Sequence, residues 1–208
     1  MIWVEDGASE VRFQCSETKP NIFLIGDSIR KGYCQTTKDD LADVAETFFF
    51  TQNCRCTQYV IINMKRWAGF FDKPELVNVV HFNCGHWDAA HWNGHPFALT
   101  TPNEYRKNLQ IIVDLLHLFF PNAKLVFATT SPMNPNGSQG NNPRTTETIK
   151  EYNAIAKEVM EENQVPVHDI CDFMKDWDSD QYTDSCHLTH EAFAALGHKV
   201  ADELKNYI

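Results

Sequence analysis

At 208 residues, with 43% hydrophobic and 22% charged residues, the chain is long enough to bury one large core and reads as one domain over 1–208. Its formal net charge of −10 argues against a protein that grips a phosphate backbone, which excludes nucleic acid as a partner. No apolar run approaches the roughly 18 residues of a membrane span, and the opening "MIWVEDGASEVRF" lacks the basic start and apolar core of a signal peptide.

Seven cysteines, an odd number in a chain too large to need staples, point to reduced thiols. The expected setting is cytoplasmic, with a processed secreted form as the other setting the chain allows.

In chain order, "NIFLIG" (21–26) is an apolar run with the length of a buried strand, and it delivers Ser28 where the chain leaves the sheet. The following "IRKGYCQTTKDD" reads as a loop that gives substrate room, before a first helix at "KDDLADVA" (38–45). Strand "ETFFFT" (46–51), helix "TQYVIINMKRWAG" (57–69), strand "LVNVVHF" (76–82) and helix "PNEYRKNLQIIVDLLHLFF" (102–120) come next. Strand "KLVFATT" (124–130), a helix over 144–163, strand "PVHDI" (166–170) and a helix over 189–207 complete the series. Strict alternation of strand and helix predicts an α/β fold: a parallel five-stranded sheet covered by helices on both faces through right-handed crossovers.

In such a sheet, functional groups collect at the carboxyl ends of the strands. That edge carries Gly26-Asp27-Ser28, "QNCRC" (52–56), "NCGHWDAAHWNGH" (83–95), "TSPMNPNGSQGNNP" (130–143) and "CDFMKDWDSDQYTDSCHL" (171–188). Long polar loops rich in Gly, Asn and Pro are usually functional in a compact domain.

A serine hydroxyl near neutral pH needs an imidazole to take its proton and a carboxylate to hold that imidazole in the right tautomer. In "YTDSCHLTHEAF", Asp184 precedes His187 by three residues, so one tight turn brings the two together. Singly, Ser28 reads better as a helix cap or turn residue, while Asp184 reads equally well as a solvated loop acid and His187 as a helix-start residue. Their joint occurrence on a β/α pattern is far more specific than any of the three.

These residues resemble the SGNH, or GDSL-like, hydrolases along nearly the whole chain. "FLIGDSI" matches the first block with Ser28 as nucleophile, and "DSCHLT" matches the last with Asp184 as acid and His187 as base. The resemblance implies a flavodoxin-like three-layer α/β/α fold and ester hydrolysis through an acyl-serine, with no cofactor. "TPNEYRKNLQIIVDLL", "LVFATTSPMNP" and "YNAIAKEVMEENQVPVHDI" are similar to sugar-ester-cleaving members.

Two middle blocks depart from the family pattern. Arg55 stands where the second block has a glycine whose N–H enters the oxyanion hole, and a backbone donor survives any side chain except proline. The third block reads Gly85-His86-Trp87-Asp88, with Trp87 in the slot of the asparagine that completes the hole. The oxyanion donors expected are therefore the N–H groups of Ser28 and Arg55, with the Trp87 indole or the Asn83 amide in place of the missing one. For Trp87 the alternative is an aromatic wall of the pocket, and for Asn83 a strand-end residue bonded to loop backbone.

Asp27, Gly85, His86, Trp87 and Trp92 are read as substrate-binding positions, the two tryptophans as stacking faces for a sugar ring. His86, His91 and His95 with Asp88 lack the helical HExxH pattern, and "NCRC" places Cys54 and Cys56 as C-x-C, so no metal is expected. The leading functional reading is a serine esterase that cleaves a short acyl group, acetyl among the candidates, from a carbohydrate or other small ester. Open beside it are a catalytically degenerate module that binds a glycan or protein, and a metal-dependent hydrolase using the histidine loop.

Overall fold

The computed structural model describes residues 13–208. The reading made on the first twelve residues lies outside that range. Five parallel strands, β1 (Asn21–Ile25), β2 (Glu46–Phe49), β3 (Val77–Phe82), β4 (Lys124–Ala128) and β5 (Val167–His168), form one sheet in the order β2-β1-β3-β4-β5. Side chains alternate across a strand, and here both faces are buried, which is why the strands read as continuous apolar runs.

One face carries Ile22, Leu24, Val79, Val126 and Ala128, packed under α1 (Ser28–Leu41) and α6 (His190–Leu204) through Ile29, Tyr33, Leu41, Leu196 and Val200. The other carries Phe23, Ile25, Val80, Phe82, Leu125 and Phe127 under α2 (Thr57–Ala68), α3 (Pro102–Phe119) and α4 (Thr146–Glu162). This is the expected sandwich of helices on a parallel sheet. The short helix α5 (Ile170–Phe173) follows β5, where the expected strand over 166–170 shrinks to two residues.

The stretch after Ser28 is a correction. It is helix from Ser28 to Leu41, not a loop followed by a helix at 38–45. Asp27 caps it, its carboxylate accepting the Ile29 N–H at 2.9 Å. The buried face runs through Ile29, Arg30, Tyr33, Cys34, Thr37 and Leu41, a helical spacing that Arg30 and Thr37 disguise because they are polar. Gly32 looks like a helix breaker, but it makes room for α6: a Cβ there would stand 2.1 Å from the Phe193 ring.

Arg30, only 1% exposed, donates to the carbonyls of Phe50 at 2.5 Å, Gln52 at 2.7 Å and Gly26 at 3.1 Å. It ties the end of β1 to the loop after β2 and satisfies carbonyls that would otherwise be buried without donors.

The strand order reverses direction between β1 and β3, and in open α/β sheets the crevice outside the carboxyl ends at that point is where ligands sit. Ser28 and the loop 83–95 open onto it. All seven cysteines are free thiols. Among the described residues, no helix is long and apolar enough to cross a membrane.

Candidate active site

The loop after α5 is pinched by an antiparallel bridge between Tyr182 and Leu188, and the Thr183 N–H donates to the His187 carbonyl at 2.8 Å. Inside this pinch, Asp184 Oδ1 accepts the N–H groups of Cys186 at 2.8 Å and His187 at 2.7 Å. Its Oδ2 lies 2.7 Å from His187 Nδ1. The D-x-x-H spacing thus closes a local turn around one carboxylate.

At the first turn of α1, Ser28 Oγ stands 2.7 Å from His187 Nε2, across 159 residues of chain. An ionised carboxylate only accepts, so in the neutral imidazole Nδ1 carries the proton and Nε2 accepts the Ser28 hydroxyl. That is the geometry for moving a proton from Ser28 to His187.

Charge favours the arrangement. Against partial burial, which alone raises it, the N–H groups of Cys186 and His187 hold the Asp184 carboxyl below its ordinary range. Cys186, with Sγ 3.9 Å from Nδ1, and then Asp184 raise His187 to about 9, against the opposing effect of burial.

Ser28 and His187 open onto a cavity of about 280 Å³ lined also by Asn53, His86, Trp87, Trp92, Gln139, Asn141, Asn142, Arg144 and Cys186, with Asp184 behind the imidazole. Trp87 and Trp92 pack together with ring centroids 4.5 Å apart and planes tilted by 43°, and the Trp92 indole donates to the Trp87 carbonyl at 3.1 Å. His86 is buried; burial first and the Arg144 charge second hold it well below the usual histidine range. Arg144 Nε donates to its Nδ1 at 3.1 Å, which leaves Nε2 to donate to Ser131 Oγ at 3.0 Å. His86 is a neutral wall of the pocket.

Four expected roles are corrected. Arg55 adopts φ 56°, the left-handed backbone that explains a glycine at this place in the family, but its N–H donates to Asn53 Oδ1 at 2.7 Å. Its guanidinium lies over Tyr59 and Trp87, 4.6 and 5.9 Å from the ring centroids. Asn83 turns into the sheet edge, donating to the Ala128 carbonyl at 2.8 Å.

Asp27 is fully buried and is not among the residues lining the cavity; burial raises its carboxyl, and its work is to cap α1. Gly85 is also buried, packed where a Cβ would stand 2.0 Å from Thr130 Oγ1, so it shapes the loop rather than touching the pocket.

The histidine loop disperses. Asp88 is buried and accepts from Thr57 Oγ1 at 2.6 Å and Thr100 Oγ1 at 2.9 Å, fastening the start of α2; burial raises it to about 6. His91 Nδ1 pairs with the His95 carbonyl at 3.0 Å. Among the described residues, potential metal-ligating atoms converge at Asp184, Cys186 and His187, the dyad itself and its neighbour, rather than in the histidine loop.

Asn53 and Arg144 are pocket residues that sequence reasoning missed. Because the Arg55 N–H requires an acceptor, the Asn53 amide oxygen faces it, and Nδ2 is left without a protein partner among the described residues. The departure of the third block from a family asparagine was the signal that another amide had to be sought.

Residues 24–195 match the family model of the GDSL-like lipase/acylhydrolases. Among solved structures, the lipase/acylhydrolase from Enterococcus faecalis aligns at TM-score 0.69 and 20% identity, over 90% of this chain and 96% of that one. A carbohydrate acetylesterase from Sinorhizobium meliloti aligns at TM-score 0.71 and 16% identity, over 91% of this chain and 100% of that one. The aryl esterase of M. smegmatis aligns at TM-score 0.71 and 15% identity with the same coverage, 91% and 100%. At these identities the likeness is one of fold. No curated protein matches the sequence.

Proposed function

The chain belongs to the GDSL-like lipase/acylhydrolase family and is a carboxylic ester hydrolase, and we propose that it removes a short acyl group, acetyl in the simplest case, from a carbohydrate or related small ester through an acyl-serine at Ser28. The observation that carries this reading is the continuous line Ser28 Oγ, His187 Nε2, His187 Nδ1, Asp184 Oδ2, with both contacts at 2.7 Å.

Ser28 Oγ attacks the ester carbonyl carbon while its proton passes to His187 Nε2, and Asp184 stabilises the imidazolium that forms. The negative carbonyl oxygen is met by the Ser28 N–H, an orphan donor at the start of α1, and by Asn53 Nδ2. Collapse breaks the ester C–O bond, the alcohol leaves with the proton from Nε2, and water repeats the sequence on the acyl-serine.

Support for a carbohydrate comes from the pocket lining. Trp87 and Trp92 offer aromatic faces, while the amide N–H groups of Gln139, Asn141 and Asn142 offer donors to hydroxyl oxygens. The Sinorhizobium meliloti acetylesterase, similar in fold, is consistent with this class.

The binding-module reading rests on the Arg55 N–H and the Asn83 amide, two expected oxyanion donors engaged elsewhere. Hydrolysis of p-nitrophenyl acetate, longer-chain p-nitrophenyl esters and acetylated xylo-oligosaccharides by the wild type and Ser28→Ala, with a chelator present, separates the two. Turnover that vanishes in Ser28→Ala supports the esterase. Activity that survives the substitution sinks it, and binding of the acetylated oligosaccharide without turnover favours the module.

A further inference from the structure

Arg144 is the one Arg or Lys among the residues lining the cavity, and no Asp or Glu lines it. Its guanidinium is held from three sides: Nε on His86 Nδ1 at 3.1 Å, Nη1 on the Asn142 carbonyl at 3.1 Å and Nη2 on Cys186 Sγ at 3.2 Å. These anchors use three of the five guanidinium hydrogens and leave one N–H on each terminal nitrogen, the number that a bidentate carboxylate takes. Among the described residues it forms no ion pair.

We propose that Arg144 makes this site selective for esters that carry a carboxylate close to the scissile bond, the acyl ester of an acidic sugar being the class that fits. The proposal rests on the esterase reading above. Arg144 and Ser28 line the same cavity of about 280 Å³, so a carboxylate bound to the guanidinium shares the pocket with the reacting ester.

A chain with formal net charge −10 repels anions over its surface at large, and Arg144, the one cation of the lining whose charge persists above about pH 9, where His187 becomes neutral, reverses that within the pocket. The three anchors hold the side chain in place before substrate arrives, so little further ordering is lost on binding.

The test compares 4-acetoxybenzoate with its methyl ester, substrates that differ in one negative charge, on wild type, Arg144→Gln and Arg144→Lys. Intrinsic reactivity cancels when the anionic-to-neutral ratio of kcat/KM is compared between proteins. The expected result is a ratio that falls at least tenfold in Arg144→Gln and is partly kept in Arg144→Lys. Equal losses on both substrates make Arg144 a brace for His86 and Cys186 and overturn the proposal.

Calorimetric binding of glucuronate and of glucose to Ser28→Ala, at a pH above about 9 where His187 is neutral and Arg144 keeps its charge, provides a readout that needs neither turnover nor a folded Arg144 variant. Tighter binding of glucuronate supports the proposal, and equal binding of the two sugars overturns it. If Ser28→Ala still hydrolyses esters, the serine mechanism fails, while the glucuronate comparison still judges Arg144.

Discussion

The backbone N–H of Arg55 donates to the side-chain oxygen of Asn53 at 2.7 Å. The bond removes one expected oxyanion donor and, by fixing which way the Asn53 amide faces, releases another. Asn53→Ala is therefore expected to lower kcat by about 10²–10³ with little change in KM, the signature of a contact made only in the transition state. Steady-state kinetics on p-nitrophenyl acetate check it, and an unchanged kcat assigns Asn53 to packing alone.

His187 is raised to about 9, first by Cys186 and then by Asp184. Only the neutral imidazole accepts the Ser28 proton, so kcat/KM should climb through about pH 9 rather than level off near the ordinary histidine value of ~6.5. Removing the sulfur in Cys186→Ala should move the inflection to lower pH. The same shift stabilises the folded state at pH below the unfolded value and is lost as pH rises through about 9, which thermal unfolding across that window would record.

Arg30 serves three carbonyls from a fully buried position. Arg30→Met keeps an apolar stem but strands those acceptors, and should cost about 3 kcal/mol of stability. The midpoint of thermal unfolding should fall by roughly 6–12 °C for a chain of this size. A shift under about 2 °C would mean that water replaces the guanidinium without loss.

At Gly85 a Cβ would meet Thr130 Oγ1 at 2.0 Å. Gly85→Ala should destabilise by about 1–3 kcal/mol through overpacking and, by displacing the following His86 and Trp87, reduce turnover. Thr130→Ala on top of it should recover part of the stability, and urea titrations of the double-mutant cycle would show additive losses if the contact is unimportant.

What the sequence determined by itself is local or periodic. The apolar runs of β1, β3 and β4 and the amphipathic stripes of α2, α3, α4 and α6 follow from chain-local patterns. The Asp184–His187 contact was legible for the same reason, because three residues of chain close it into one turn. The first helix was not, since its buried face includes Arg30 and Thr37, whose places depend on carbonyls far along the chain.

Tertiary structure alone decided which groups the pocket presents. Whether the Arg55 N–H was free depended on a side-chain rotation of Asn53, and Asp27 and Gly85 were sealed away by α1 and by Thr130. Arg144 meets His86 across 58 residues and Cys186 across 42, contacts that exist because parallel strands deliver loops distant in sequence to one sheet edge. Periodicity fixes which face of an element is buried, but the partner of each polar group at that edge is set by folding the whole sheet.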